Sequence, residues 1–201
     1  MTWSWPTDVR PYSTDLASML AASVIDDGIL GFTEPVTPAQ GVGFAEDLAR
    51  RVGTGEALVL LGQDDEGVCA MCVVALNSMP NCRHLSEVSK AYLRPRIRRT
   101  GAVIELVFAV CERLADVGVE RVLIDVREGS PAHRVWSGFG FTTYGVLDDY
   151  SRVRGISHRG LYMTHAVSEL QAVTADRLAR RADPTRRHTT PQAAIAERTS
   201  R

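Results

Sequence analysis

The segment HLSEVSKAYL-RPRIRRTG-AVIELVFAVCERLADVG spans residues 84–118, and RVLIDV follows at residues 121–126. Its first ten residues are typical of a strand, and the next eight form a turn that contains four arginines. Apolar residues at helical spacing then predict an amphipathic helix from Ala102 to Gly118. RVLIDV predicts a buried strand, and a short helix ending in WSGFGF (residues 136–141) comes after it. This order predicts an α/β unit in which helices cover a sheet.

Length and composition are those of an ordinary folded domain. The chain has 201 residues, of which 45% are hydrophobic and 23% are charged, and this is enough for one well-buried domain but not for two. The net charge of -1 argues against nucleic acid as the main partner, because nucleic-acid-binding domains usually carry a basic excess. No apolar run approaches the ~18 residues of a membrane span, and the opening MTWSWP lacks a signal-peptide pattern. We therefore expect a cytoplasmic protein without a membrane partner.

The rest of the chain supplies further strands and helices. On the N-terminal side we predict a short strand at Val9–Pro11, helices at Asp15–Ile25 and Ala39–Val52, and a β-hairpin of Ala57–Leu61 and Val68–Leu76. On the C-terminal side we predict a strand at Thr142–Leu147, a polar loop at Asp148–Ser157 and a last strand at Gly160–Val167. Residues 1–168 would form one α/β (α+β) domain, a mixed, twisted sheet with helices on both faces. Residues 169–201 would form a basic tail, helical to about Arg181 and disordered beyond it.

Four cysteines lie at positions 69, 72, 82 and 111. Cys69 and Cys72 form a C-x-x-C pattern inside an apolar strand, where residues three apart point to opposite faces. Such a pair cannot easily chelate one ion, and no second C-x-x-C or histidine cluster completes a site. We predict buried thiols and no metal.

The arginine-rich turn ends in Thr100 and Gly101, at the start of the long helix. A helix N-terminus exposes unpaired N–H groups and carries a partial positive charge, so it binds phosphate readily. Glycine lets a ligand approach the backbone closely. We predict an anion site here, and the alternative is a basic turn that contacts only solvent. The residues assigned to the anion site are Arg96, Arg98, Arg99, Thr100, Gly101 and Ala102.

Ordered motifs over about residues 9–167 resemble the GCN5-related N-acetyltransferase (GNAT) superfamily. PRIRRTGAV (residues 95–103) is similar to the family's pyrophosphate-loop pattern Q/R-x-x-G-x-G/A, and AHRVWSGFGF (residues 132–141) is similar to its pattern A-x-x-L-Y-x-x-x-G-F. Glu87, eight residues before Pro95, matches an acidic residue often found on the family's fourth strand. Met79-Pro-Asn81, Glu87-Val88 and Lys90 also resemble the tabtoxin-resistance acetyltransferase group.

The resemblance implies a GNAT-like fold and transfer of an acetyl or other short acyl group from coenzyme A to an amine. The acceptor would be a small metabolite, an amino acid or an antibiotic, and the anion site would hold the pyrophosphate of acetyl-CoA. A backbone N–H near Ala91, Tyr92 and Leu93 would stabilise the oxyanion. Glu87 would accept the proton of the amine, because a strand carboxylate that reaches the cleft can have a raised pKa. The alternative for Glu87 is an exposed strand residue.

The tyrosine that protonates the departing thiolate in this family is replaced by Trp136. An indole N–H donates a hydrogen bond but not a useful proton. One interpretation is that Tyr144, Tyr150 or Tyr162, in the last strands and loop, serves as the acid. The others are that the thiolate leaves unprotonated, or that the chemistry is not standard acetylation.

Two further polar residues each have two interpretations. Asp125 lies in an otherwise apolar strand, where an unpartnered charge is costly, so it is either catalytic or part of a structural salt bridge. Ser130 either binds the pantetheine of the cofactor or caps the helix that begins at Pro131.

Two other functions stay open at this point. A GNAT-fold protein could run non-acetylating chemistry in a biosynthetic pathway, such as decarboxylation or the handling of a carrier-bound acyl group. It could also be a non-catalytic module that binds coenzyme A. The acceptor depends on the loops at Ile29–Pro38 and Asp148–Arg159, and two copies could pair into a homodimer through the last strands or the second helix.

Overall fold

The computed structural model describes residues 1–26 and 30–183. Within these residues, seven strands and five α-helices follow one another in this order: β1 Thr2–Ser4, α1 Ser13–Ile25, α2 Pro38–Gly53, β2 Ala57–Asp64, β3 Gly67–Leu76, β4 Leu85–Leu93, α3 Ala102–Asp116, β5 Arg121–Arg127, α4 Pro131–Phe139, β6 Thr142–Val153, β7 Ile156–Ala166 and α5 Val167–Ala182. No helix in the described part of the chain is both long and apolar enough to cross a membrane.

The strands form one mixed sheet in the order β1-β2-β3-β4-β5-β7-β6. Every neighbouring pair is antiparallel except β4 and β5, which run parallel. The parallel pair is the one joined by a crossover helix, α3, as the geometry of parallel strands requires. The predicted fold class, a mixed sheet with helices on both faces, is confirmed.

Two apolar cores lie on opposite faces of the sheet. Helices α1 and α2 cover one face, where Leu16, Leu48 and Tyr92 are buried. Helices α3, α4 and α5 cover the other, where Leu106 and Trp136 are buried. The face on which a core residue lies follows from the repeat of its element, which is 3.6 residues in a helix and two residues in a strand.

Local capping explains where two of the helices begin. Thr37 and Gln40 form a capping box at the start of α2, with the Gln40 N–H donating to the Thr37 hydroxyl and the Thr37 N–H donating to the Gln40 side chain. Ser130 accepts a hydrogen bond from the His133 N–H at 3.1 Å and so caps α4, with Pro131 as the first helical residue.

The last described helix, α5, packs along α3. Its Val167 and Leu170 side chains are buried in the α3 core, and the Val167 N–H donates to the carbonyl of Glu120 at 2.8 Å. The helix at the start of the predicted tail is confirmed, and it packs on the body of the protein. The domain boundary after residue 168 stays a prediction, and residues 184–201 lie outside the described residues.

Three predictions about local structure are wrong. Val9–Pro11 is not a strand, because Val9 is buried under α1 and α2 while residues 10–12 form a 3₁₀ turn; the first strand is β1. Residues 148–157 are not a loop, because β6 continues to Val153 and pairs with β7 across a two-residue turn at Arg154 and Gly155. Both turn residues have positive φ, as a tight hairpin requires.

The third wrong prediction is that Cys69 and Cys72 point to opposite faces of their strand. Cys69, Cys72 and Cys111 are buried as predicted, whereas Cys82 is only partly buried. Strand β3 contains a bulge at Cys69, between the pairs Gln63–Val68 and Gly62–Ala70. A bulge adds one residue to the alternation, so Cys69 and Cys72 are buried in the same core, beneath α3. Both thiols are free, and the described residues contain no group of three or more histidine, cysteine, aspartate or glutamate side chains placed to hold a metal.

Candidate active site

A cleft opens where β4 and β5 diverge. The two strands pair only over three residues each, from Leu85–Arg121 to Glu87–Leu123. Beyond this point a cavity of about 300 Å³ separates them. Residues 88–91 of β4 and 124–127 of β5 form its walls, and Ser130, Trp136 and Tyr150 complete them. The cleft therefore reaches from the α3–α4 face of the sheet to the opposite face.

One wall of the cleft contains a β-bulge. Strand β4 pairs with β3 at Ser89–Val73 and again at Tyr92–Met71, so two residues of β4, Lys90 and Ala91, lie opposite one residue of β3. Lys90 has φ +50°, and its ammonium donates to the Leu30 carbonyl at 3.0 Å. A bulge leaves a residue of the ladder unpaired, which is what an oxyanion-binding N–H requires.

The bulge refines the predicted position of the oxyanion site. Ala91 lies in the bulge and lines the cleft. Tyr92 and Leu93 are in register with β3, and the Tyr92 hydroxyl donates at 2.9 Å to Asp26, at the C-terminal end of α1. The irregular backbone is therefore centred on Lys90 and Ala91, at the start of the predicted segment.

Two carboxylates, Glu87 and Asp125, face the α1–α2 side of the sheet beside the cleft. Glu87 is the last residue of β4 that pairs with β5, and Asp125 lies two residues beyond that point on β5. Partial burial raises the pKa of Glu87 and the charge of Asp125 adds to the rise, whereas Arg51 and Lys90 oppose it. Glu87 is nevertheless exposed to solvent at its outer side, so a ligand can reach it.

Three tyrosines surround the carboxylates. The Tyr150 hydroxyl donates a hydrogen bond to Asp125. Tyr162 lies between Tyr144 and Tyr150, with ring centroids 6.3 Å from each. Burial raises the pKa of Tyr144, and the charge of Glu87 raises it further. Asp125 therefore has a tyrosine partner, and two other candidate residues, Glu87 and Tyr144, lie close enough for its charge to raise their pKa values.

Trp136 lies on the other side of the cleft, in the α3–α4 core. It is 9% exposed and packs against Phe139 and Phe141, with ring centroids 6.3 and 5.1 Å away. Ser130 caps α4, and it also lines the cleft. The indole is thus a wall of the cleft and a core residue at once.

The arginines of the basic turn divide into partnered and unpartnered side chains. Arg96 donates two hydrogen bonds to Asp64, at 3.0 and 2.8 Å, and these lower the pKa of Asp64 to about 2. Arg98 donates to Asp26 at 2.5 Å, which lowers the pKa of that carboxyl. Arg99 has φ +65° and forms no ion pair within the described part of the chain.

Solved structures with the same architecture identify the fold. A ribosomal-protein-alanine N-acetyltransferase from Brucella melitensis superposes with a TM-score of 0.69 at 18% identity, over 83% of this chain and 99% of that chain. A GNAT superfamily phosphinothricin acetyltransferase from Sinorhizobium meliloti, in complex with acetyl-CoA, has a TM-score of 0.67 at 18% identity, over 83% and 89%. An acetyltransferase of the GNAT family from Streptococcus pneumoniae has a TM-score of 0.66 at 12% identity, over 82% and 98%.

This chain has the GNAT fold. The predicted resemblance to the superfamily is confirmed at the level of the fold. No protein-family model and no curated protein matches the sequence, so the likeness lies in three-dimensional structure. The narrower resemblance to the tabtoxin-resistance group stays a prediction.

The resemblance to the GNAT superfamily predicts a pyrophosphate site at the start of α3, where Gly101 lies. Gly101 has φ +94° at the N-cap, and a methyl group there would overlap the guanidinium of Arg181. Arg181 comes from α5 and donates to the Thr100 carbonyl, whereas the Thr100 hydroxyl donates to the Ile97 carbonyl at 2.7 Å. The positive charge of Arg181 at Gly101 suits a phosphate of the coenzyme, and the guanidinium would have to move aside for a phosphate to reach the Gly101 backbone.

Arg181, Lys90 and the acidic partners of the turn were not predicted as parts of this site. Arg181 lies 80 residues from Gly101 in sequence, and its place depends on how α5 packs. Arg96 and Arg98 were predicted to bind phosphate, and Asp64 and Asp26 already hold them. The sequence singled out Lys90 only through the resemblance to the tabtoxin-resistance group, without a role in the site.

Proposed function

We propose that this protein is an acyl-CoA-dependent N-acetyltransferase that acts on the primary amine of a small molecule. The observation that carries the proposal is Glu87, an accessible carboxylate with a raised pKa at the fork between β4 and β5, beside the bulge at Lys90. A general base and an oxyanion donor at one fork are what attack of an amine on a thioester requires.

We assign each proposed role to residues whose position supports it. Acetyl-CoA, when bound, supplies the activated acyl group. Arg99, Thr100 and Gly101 hold its phosphates at the start of α3, and the cleft between β4 and β5 holds the chain that ends in the thioester. The backbone of the bulge donates to the thioester oxygen as negative charge develops there. Glu87 removes a proton from the bound ammonium and so produces the neutral amine that attacks.

Replacing Arg99 with alanine should weaken acetyl-CoA binding about tenfold, whereas replacing Arg96 should change it less than threefold. Arg99 is available to a phosphate, and a charge-assisted hydrogen bond contributes about 1.5–3 kcal/mol. Arg96 is held by Asp64. Thermal shift against acetyl-CoA measures both variants, because a ligand at 100-fold its Kd adds about 2.7 kcal/mol to the stability of the wild-type protein. A wild-type protein that acetyl-CoA does not stabilise would contradict the proposed function.

The pH profile should report the ionisation of Glu87. Glu87 acts as a base only when charged, and its pKa is raised above the ordinary 4.5 mainly by partial burial and by Asp125. We expect kcat to fall as the pH decreases through this raised value, and the acid limb to lie above the pH at which an ordinary glutamate titrates. Arg51→Gln removes a charge that opposes the rise, so it should move the limb to higher pH. If Arg51→Gln does not shift the pH of the acid limb, the limb reports the ionisation of a group other than Glu87.

The acceptor is to be found with a panel of primary amines. Phosphinothricin and a peptide with an N-terminal alanine belong on the panel, because the names of two structural neighbours indicate those substrates for the neighbours themselves. A diamine and a free amino acid complete it. A cytoplasmic location and pairing into a homodimer stay predictions.

A further inference from the structure

A second feature of the cleft stands apart from Glu87: the side chain of Tyr150 enters it from the edge strand. Strand β6 loses register with β7 between Leu147 and Ser151, so residues 148–150 form a large bulge. Ion pairs close the base of the bulge, with Asp148 bound by Arg159 at 2.9 Å and Asp149 bound by Arg152 at 2.8 Å. The bulge therefore has a defined shape, and it directs Tyr150 inward.

The neighbouring strand makes room for the Tyr150 ring. Gly160 of β7 lies beneath it, and a methyl group at this position would overlap the ring. Tyr162, also on β7, contacts the ring edge-on at an interplanar angle of 87°. A glycine in the interior of a strand weakens the strand, and a common reason for one is the close approach of another group. Here the approaching group is Tyr150.

The inserted ring brings the Tyr150 hydroxyl to Asp125 at the wall of the cleft. The hydroxyl donates to the Asp125 carboxylate, and both residues line the cleft opposite the bulge at Lys90. A phenol oxygen that donates its proton still has lone pairs that accept. Burial and the Asp125 carboxylate raise the pKa of Tyr150, so the phenol stays protonated at neutral pH. The phenol can therefore give up its proton only if it accepts another proton at the same time.

We propose that Tyr150 and Asp125 form a proton shuttle that carries the second proton of the amine to the departing sulfur. The inference rests on the proposed function. Glu87 takes the first proton from the ammonium. As the C–N bond forms, the amine gives its second proton to the Tyr150 oxygen while the phenol proton passes to Asp125. As the C–S bond breaks, the phenol of Tyr150 gives its proton to the sulfur and takes a proton back from Asp125, giving amide and thiol.

The shuttle accounts for tryptophan at position 136. Trp136 cannot protonate a thiolate, and it is packed between Phe139 and Phe141. If Tyr150 and Asp125 protonate the departing thiolate, no acid is needed at position 136 on α4. Tyr162 offers an internal comparison, because its ring lies beside that of Tyr150 on the same face of the sheet.

The test uses full-length variants, acetyl-CoA and the amine panel. Tyr150→Phe keeps the ring and removes the hydroxyl, and we expect kcat to fall about 100-fold or more, the range of general acid–base catalysis, with the Kd of acetyl-CoA unchanged. Tyr162→Phe should change kcat less than threefold. Asp125→Asn should resemble Tyr150→Phe, and the double variant should be no worse than either single one, since the two residues act as a unit.

Gly160→Ala tests the placement of the ring. It should lower kcat in the wild-type background and have no further effect on kcat in the Tyr150→Phe background. Tyrosine absorbance followed against pH supplies a readout without turnover: Asp125→Asn should bring one additional tyrosine into the titratable range, and Tyr150→Phe should abolish that gain.

Three results would overturn the shuttle: an unchanged kcat in Tyr150→Phe, equal losses in Tyr150→Phe and Tyr162→Phe, or an absorbance titration that Asp125→Asn does not alter. The absorbance titration tests the Tyr150–Asp125 pair in the free protein. A failure of acetyl-CoA to bind the wild-type protein would instead contradict the proposed function, so the two failures are distinguishable.

Discussion

Glu87→Gln is expected to lower kcat for amine acetylation by about 100-fold to 1,000-fold, the largest change of any single substitution on the acceptor side. The amide keeps the size of the side chain and cannot accept the ammonium proton. The Kd of acetyl-CoA should stay within threefold of the wild type, because Glu87 faces the α1–α2 side of the sheet, away from the start of α3. Steady-state kinetics with the amine panel and calorimetric titration with acetyl-CoA measure the two quantities.

The matched control for Glu87→Gln is Glu120→Gln, which makes the same chemical change at an exposed residue just before β5. Its kcat should equal that of the wild type. The acid limb of the pH profile should also disappear in Glu87→Gln. A Glu87→Gln enzyme that retains both its rate and its acid limb would assign the base to a different residue and would remove the main support for the proposed function.

Trp136→Ala is expected to lower the free energy of unfolding by about 3–5 kcal/mol, the usual cost of deleting a large buried aromatic side chain. The indole fills the space between Phe139 and Phe141 in the α3–α4 core. Trp136→Phe retains an aromatic ring and should cost less than half as much. Urea unfolding followed by circular dichroism measures both variants, and equal costs would mean that the indole is not packed as the structure shows.

Local patterns were enough to predict most of the elements. Helix α2 carries a capping box at Thr37, helix α3 buries a regular apolar stripe, and β5 is a nearly continuous apolar run. Each of these patterns lies within about 15 residues, which is the distance over which periodicity and capping act. The sequence singled out Glu87 and Trp136 because they lie at fixed distances from recognisable motifs, and their roles stay predictions.

Other features depended on contacts that no local pattern contains. The polar residues 148–157 resemble a loop, yet β6 and β7 pair again from Ser151–His158 to Val153–Ile156, and Asp148 and Asp149 have arginine partners on the same hairpin. Cys69 lies in a bulge that only the register with β2 reveals. Arg98 is held by Asp26, 72 residues away. Tertiary contacts decide these positions, and they override the expectation for each segment alone.

The contact between Arg181 and Gly101 couples the docking of α5 on the body of the protein to the proposed binding of coenzyme at the start of α3. A guanidinium from α5 covers the backbone at which the proposed coenzyme site binds phosphate. If docking of α5 changes the free energy of coenzyme binding, then coenzyme binding must change the free energy of α5 docking by the same amount. In this respect α5 would behave like a second ligand that is covalently attached to the protein and therefore has a high effective concentration.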